Sequence, residues 1–206
     1  MGYMYRYNPG VVKLREFLRE GWLGDVFEVH TVMSKVVGAS ERRKLAEYPG
    51  GILFELGCHI LDLVIGLLGE PRSVHSILQH VSPLDDGLKD SALAILEYDK
   101  ASATVRSSAV EVDGGARRHL TVCGTEGTFH MQPLDNPTAR VAFSKPHGVY
   151  RAGYQDVELP KYSRYVDDAA DMARVIRGEK PNSFPSSHDL AVQKTLLRAC
   201  QLLVVN

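Results

Sequence analysis

Gly50-Gly51-Ile52-Leu53-Phe54-Glu55-Leu56-Gly57-Cys58-His59-Ile60-Leu61-Asp62-Leu63 sets three titratable side chains into an otherwise apolar run. Glu55, His59 and Asp62 are spaced i, i+4, i+7. At about 100° per residue they fall within roughly 60° of one another on one helical face. Few other polar residues occur between Ile52 and Leu68. The stretch predicts a buried helix whose polar stripe opens into a lined pocket.

The chemistry of that stripe is acid/base chemistry. An imidazole titrates near neutral pH, so His59 can take a proton from a substrate hydroxyl and return it. A carboxylate one turn away is expected to orient the ring and raise its pKa. Two other readings stay open: a core histidine with ordinary surface acids around it, and a carboxylate and imidazole sharing a divalent ion. No further ligand pair accompanies the motif.

Working outward, Asn8 can cap a helix with Pro9 at its first position, and Val11, Val12, Leu14, Phe17 and Leu18 give it an apolar stripe up to Gly21. Asp25 to Val37 is rich in β-branched residues and predicts a strand. Ser40 to Tyr48, with Arg42, Arg43 and Lys44 in a row, reads as a solvated loop, or else as a frame for an anion. Residues 72–81, 90–98, 101–111, 117–124 and 127–132 predict strands, with weaker ones at 138–144 and 154–159. Asp99-Lys100 and Gly124 to Gly127 read as tight turns, which implies antiparallel pairing. Two helices close the chain, near 162–177 and 187–203, and Ser186-Ser187-His188-Asp189 reads as a capping box that makes Asp189 a cap. The predicted class is α+β, with a large open, mainly antiparallel β-sheet and helices packed on one face. Ala92, Ala94, Leu96, Ala103 and Val105 read as small or apolar on both faces, so two chains are expected to pack sheet to sheet.

The opening stretch resembles the Gly-Gly-x-x-x-Asp-x-Gly-x-His-x-x-Asp signature in the second domain of the glucose-fructose oxidoreductase and inositol dehydrogenase family, Gfo/Idh/MocA. Gly2-Tyr3-Met4-Tyr5-Arg6-Tyr7-Asn8-Pro9 is similar to the entry into that domain, Gly21-Trp22-Leu23-Gly24-Asp25-Val26 to the turn after its first helix, and Gly124-Thr125-Glu126-Gly127-Thr128 to its strand-turn-strand motif. Tyr162 to Gly178 resembles its late helix. The resemblance implies that residues 1–206 form the C-terminal domain, the substrate-binding and oligomerisation half of an NAD(P)-dependent oxidoreductase acting on a sugar or polyol. It implies a catalytic His59, with Glu55 orienting the ring or the substrate and Asp62 supporting the imidazole from behind. Arg6 and Tyr162 would border the substrate.

The departures are as informative. Glu55 stands where the family usually has Asp, and no Gly-x-Gly-x-x-Gly follows a predicted strand, so the N-terminal Rossmann domain is absent from these residues. No cofactor is expected on this chain alone; NAD or NADP is implied for the full-length enzyme, with a Rossmann partner in trans as one way to supply it. Glu179-Lys180-Pro181 imitates the family's catalytic-lysine motif but follows Gly178 at a helix end, and reads as a loop. Two alternatives of other kinds are a non-catalytic binding or dimerisation module and an NAD-dependent glycosidase-like relative.

Lys and Arg number 24 against 25 Asp and Glu, a net charge of -1, which gives no electrostatic case for nucleic acid or an anionic membrane. Cys58, Cys123 and Cys200 are odd in number and widely spaced, as in a reduced interior. The longest apolar run is too short to span a bilayer and no secretory leader is evident, so the cytoplasm is expected. Tyr165 could offer a hydroxyl beside Tyr162, while His30, His75, His80, His119, His130 and His147 lie on or beside predicted strands and read as structural.

Overall fold

Asn8 opens the first element as its sequence implies. In the computed structural model, which describes residues 2–203, its Oδ1 accepts the Gly10 N–H at 2.9 Å, and helix α1 (Pro9–Arg19) follows. The same side chain is fully buried and donates from Nδ2 to the Leu134 carbonyl at 2.8 Å, so one residue both caps the helix and ties it to a distant loop.

Eight strands follow in one sheet: β1 (Val26–Val32), β2 (Ser73–Gln79), β3 (Ser91–Glu97), β4 (Ser102–Ser108), β5 (His119–Gly124), β6 (Gly127–Met131), β7 (Ala139–Phe143) and β8 (Gly153–Val157). Their spatial order is β2-β3-β4-β1-β5-β6-β7-β8. Every neighbouring pair is antiparallel except β1 with β4. Two hairpins return the chain from β2 through β4, which arrives beside β1 in the same direction; β5 then takes the other side of β1.

Period-two alternation assigns the faces. Ala92, Ala94, Leu96, Ala103 and Val105 all lie on one side and are at most 1% exposed. This corrects the reading that these residues make both faces apolar: they belong to the helix-covered side alone. Phe17 of α1 meets Phe129 and Phe143 at centroid distances of 6.2 and 5.4 Å on that side. Helices α3 (Cys58–Leu68) and α5 (Ser186–Ala199) pack together over β1, β2 and β4. The opposite face carries a row in register across all eight strands: His75, Ile95, Thr104, His30, Thr121, His130, Arg140 and Asp156.

Gly50 and Gly51 adopt φ values of +95° and +56°. A Cβ on Gly51 would lie 2.4 Å from the Lys89 carbonyl oxygen, the group that accepts the Ile52 N–H at 2.9 Å. The pair therefore turns the chain tightly into a π-helical segment, Leu53–Gly57, which runs directly into α3.

The expected loop at Ser40–Tyr48 is instead a helix, α2 (Ala39–Ala46). Arg42, 1% exposed, points inward and places its Nε and Nη2 on Asp86 at 2.6 and 3.1 Å, with Nη2 also on Asp90 at 2.8 Å. Carboxylates of the chain itself thus occupy the cation that could have framed a foreign anion. The late helices are α4 (Val166–Ile176) and α5, both shorter than expected. Asp189 is not a cap: the position before α5 is Pro185, and no side chain caps that end. No helix among the described residues is long and apolar enough to cross a membrane.

Candidate substrate-facing site

His59 lies at the junction of the π turn and α3, half-buried, with the Tyr3 ring edge-on at a centroid distance of 6.2 Å. Its Nδ1 is sealed from solvent without a hydrogen-bond partner, as are the Tyr3 hydroxyl, Glu55 Oε2 and Ser107 Oγ. Such orphaned polar atoms are rare in interiors, and a water or ligand is one way to complete them. Burial pushes the His59 pKa below the ordinary histidine value; Asp62 opposes this, while Arg118 and Arg164 act with burial. The neighbouring carboxylate does raise this pKa, but burial outweighs it, so the expected net rise is corrected to a lowering. The ring is neutral at pH 7, the form able to accept a proton.

Asp62 faces elsewhere than the sequence implied. Its carboxylate takes Arg6 Nε at 3.1 Å on both oxygens, Arg6 Nη2 at 2.7 Å and His188 Nε2 at 2.8 Å, and is 2% exposed. Arg6 is also buried and reaches Asp189 at 2.6 Å as well. Asp62 acts on His59 through its charge and bonds to Arg6 and His188. Glu55 is held by Lys35, whose Nζ lies 3.1 Å from Oε1 and 2.9 Å from Glu41. A π turn departs from 100° per residue, so the Glu55 to His59 spacing does not translate into the contact an α-helix would give.

The other sequence candidates lie around this face without forming one cavity with it. Arg6 lines a cavity of about 130 Å³ with Tyr3, Tyr7 and Asp168, and Tyr162 lines another of about 310 Å³ with Tyr7 and Lys161. His59 lines neither. The Tyr162 hydroxyl donates to the Met4 carbonyl at 3.4 Å. Tyr165 is exposed, with φ +70°, at the start of α4. Lys180 pairs with Asp171 and donates to Ser183 Oγ at 2.9 Å, at the helix-terminating loop. Burial pushes the Cys58 thiol up to about 12, so no thiolate sits beside the imidazole.

Sequence reasoning missed Lys35, Tyr3 and an arginine pair. Arg118 donates to Asp135 at 2.7 Å and to the Ser34 carbonyl at 3.2 Å; Arg164 and the Tyr5 hydroxyl share that aspartate. These residues come from loops far apart in the chain, and no local spacing announces them. Among the described residues, no group of three or more His, Cys, Asp or Glu side chains is placed to hold a metal. The two strand-to-helix connections, β1 to α2 and β8 to α4, contain one glycine and none. A dinucleotide pyrophosphate needs a glycine-rich turn at a helix start, so the described residues do not fit that cofactor.

Comparison with known proteins agrees with this architecture. Residues 11–130 match the GFO/IDH/MocA C-terminal domain, and the chain belongs to that family. An uncharacterized oxidoreductase of Schizosaccharomyces pombe is 28% identical over 134 residues, covering 60% of this chain and 36% of that protein. A candidate NADPH-dependent oxidoreductase from Desulfitobacterium hafniense DCB-2 superposes with a TM-score of 0.79 at 18% identity, over 97% of this chain and 61% of that one. An oxidoreductase from Agrobacterium radiobacter, solved with NAD+, L-tartaric acid and magnesium, gives 0.74 at 16% identity, over 96% and 60%. At these identities the structures establish the fold. The chain spans about three fifths of the solved relatives' lengths.

The pH dependence of stability follows from the half-buried histidines. Burial leads the lowering of His59, His119 and His130, while His80 is raised, first by its bond to the Leu88 carbonyl. An unfolded histidine binds its proton near pH 6.5, before a lowered one does, so the unfolded state holds more protons just below that pH. The three lowered groups stabilise the fold above the unfolded pKa and lose that contribution as pH falls through their folded values; His80 works in the opposite sense. Thermal melts should show the melting temperature falling from pH 7.5 to 5.5. A melting temperature that stays level or rises over that interval contradicts the assignment.

Proposed function

We propose that this chain is the substrate-binding and oligomerisation domain of an NAD(P)-dependent oxidoreductase acting on a sugar or polyol, and that it is inactive without a nucleotide-binding domain. The observation that carries the reading is His59, half-buried within the matched region, its pKa lowered by burial and its Nδ1 sealed without a partner. Hydride transfer is the chemistry that a nicotinamide supplies, and a separate domain would hold it. His59 accepts the hydroxyl proton in oxidation and returns it in reduction. Its Nδ1 is the sealed nitrogen, which leaves Nε2 as the exchanging atom. Lys35 and Glu55 form an ion pair at the π turn that precedes α3, and Arg6 with Asp62 braces that helix. Calorimetric titration of glucose, fructose, xylose and myo-inositol into the chain and its His59→Gln variant tests this role. At least one should give saturable heat that the variant diminishes; no heat from any of them, or equal heat in both proteins, removes the assignment.

The open sheet face supports assembly through a second copy. Ile77, Ile95 and Tyr154 are 54%, 41% and 52% exposed on the face opposite the helices. Such exposed apolar positions on a broad sheet favour a sheet-to-sheet dimer. Sedimentation at micromolar concentration should show a dimer that Ile95→Glu converts to monomer; a wild type that is monomeric throughout contradicts it.

A further inference from the structure

A cavity of about 780 Å³ opens between α1 and the start of α5, lined by Val12, Arg15, Gly66, Phe184, Pro185 and His188 among others. Arg15 sits half-buried in its wall. Nη1 donates to the Arg6 carbonyl at 2.6 Å, and the guanidinium carbon lies 5.2 Å from the Phe184 ring centroid. Its Nε–Nη2 edge meets no carboxylate among the described residues. That edge is the fork this chain uses elsewhere to seat a carboxylate: Arg6 on Asp62, Arg42 on Asp86 and Arg117 on Glu111. Burial lowers the Arg15 pKa, with Asp62 and Tyr7 opposing and Arg6 assisting, as befits a cation without its own counter-charge.

We propose that this cavity binds a small organic oxyanion, a carboxylate or phosphate carried on an apolar or aromatic body, with Arg15 gripping the anion through its Nε–Nη2 fork. Planar guanidinium and planar oxyanion match in two parallel hydrogen bonds. Val12, Phe184 and Pro185 supply apolar walls for the body. Glu16, the acid in the lining, is paired with Lys13 at 2.7 Å, so the wall is net positive near Arg15. His59 does not line this cavity, and the proposal does not depend on the oxidoreductase reading.

The test is calorimetric titration of the whole chain with benzoate, phenyl phosphate and the neutral benzyl alcohol. At least one of the two anions should bind saturably, and comparing them identifies the preferred head group. Benzyl alcohol should bind about tenfold more weakly or worse, and Arg15→Gln should weaken the anion about tenfold or more. Arg15→Lys keeps the charge without the fork and should also weaken it, giving the same reading if the glutamine variant folds poorly. Arg72→Gln, remote from the cavity, should leave binding unchanged. Absence of saturable binding by both anions, equal binding of the alcohol, or full binding by the Arg15 variants overturns the proposal.

Discussion

Asp62→Ala should lower the unfolding free energy by about 3–5 kcal/mol, because it strips the counter-charge from a buried guanidinium. Arg6 is 6% exposed and places both Nε and Nη2 on this carboxylate, and His188 adds a third donor. Two buried charges gain little net stability as a pair; the cost appears when one is removed and the other stays. Asp189 still faces Arg6 at 2.6 Å, which places the expectation toward the lower figure. Asp62→Asn keeps the shape and should cost less, and the double replacement Arg6→Met with Asp62→Leu should recover part of the loss. Urea melts read these differences. A change below about 1 kcal/mol for the alanine variant would mean that the pair is hydrated, unlike the sealed geometry described.

His59→Gln should reduce kcat by about 10²- to 10⁴-fold in the enzyme assembled with its nucleotide-binding domain, the usual contribution of a positioned acid/base group. The variant should fold normally, since the ring makes no described hydrogen bond that the substitution would break. The loss should fall on kcat more than on KM, because proton exchange occurs in the transition state. Lys35→Met should act differently: it leaves Glu55 without its cation and should raise KM if the pair binds a substrate hydroxyl. A His59 variant with full turnover would move the acid/base role to another group.

The fold was legible because its signals are local and periodic. Asn8-Pro9 opens a helix by its own hydrogen bonding, Asp99-Lys100 turns a hairpin, and period-two runs of β-branched residues make strands wherever they occur. Even the faces were legible in principle: Ala92, Ala94 and Leu96 share a parity and therefore a side. What escaped depends on distant partners. Arg42 looked solvated within Arg42-Arg43-Lys44, and only Asp86 and Asp90, 44 and 48 residues away, make its burial favourable. Asp62 stood out in the sequence as a carboxylate in an apolar run, but its partners did not, since Arg6 and His188 lie 56 and 126 residues off. The π turn at Leu53–Gly57, just after the positive-φ Gly50-Gly51 pair, broke the angular arithmetic that joined Glu55 to His59. The direction of the His59 shift depended on burial, which no spacing of residues reveals.

A pH titration of the histidine side-chain resonances by NMR, run with and without the sugar and polyol panel, reaches the centre of this account. His59 should titrate below about 6.5, and its resonances should move when a ligand binds. A His59 that titrates at or above that value and ignores every sugar and polyol would show a ring carrying charge at a site with no substrate, contrary to the function proposed.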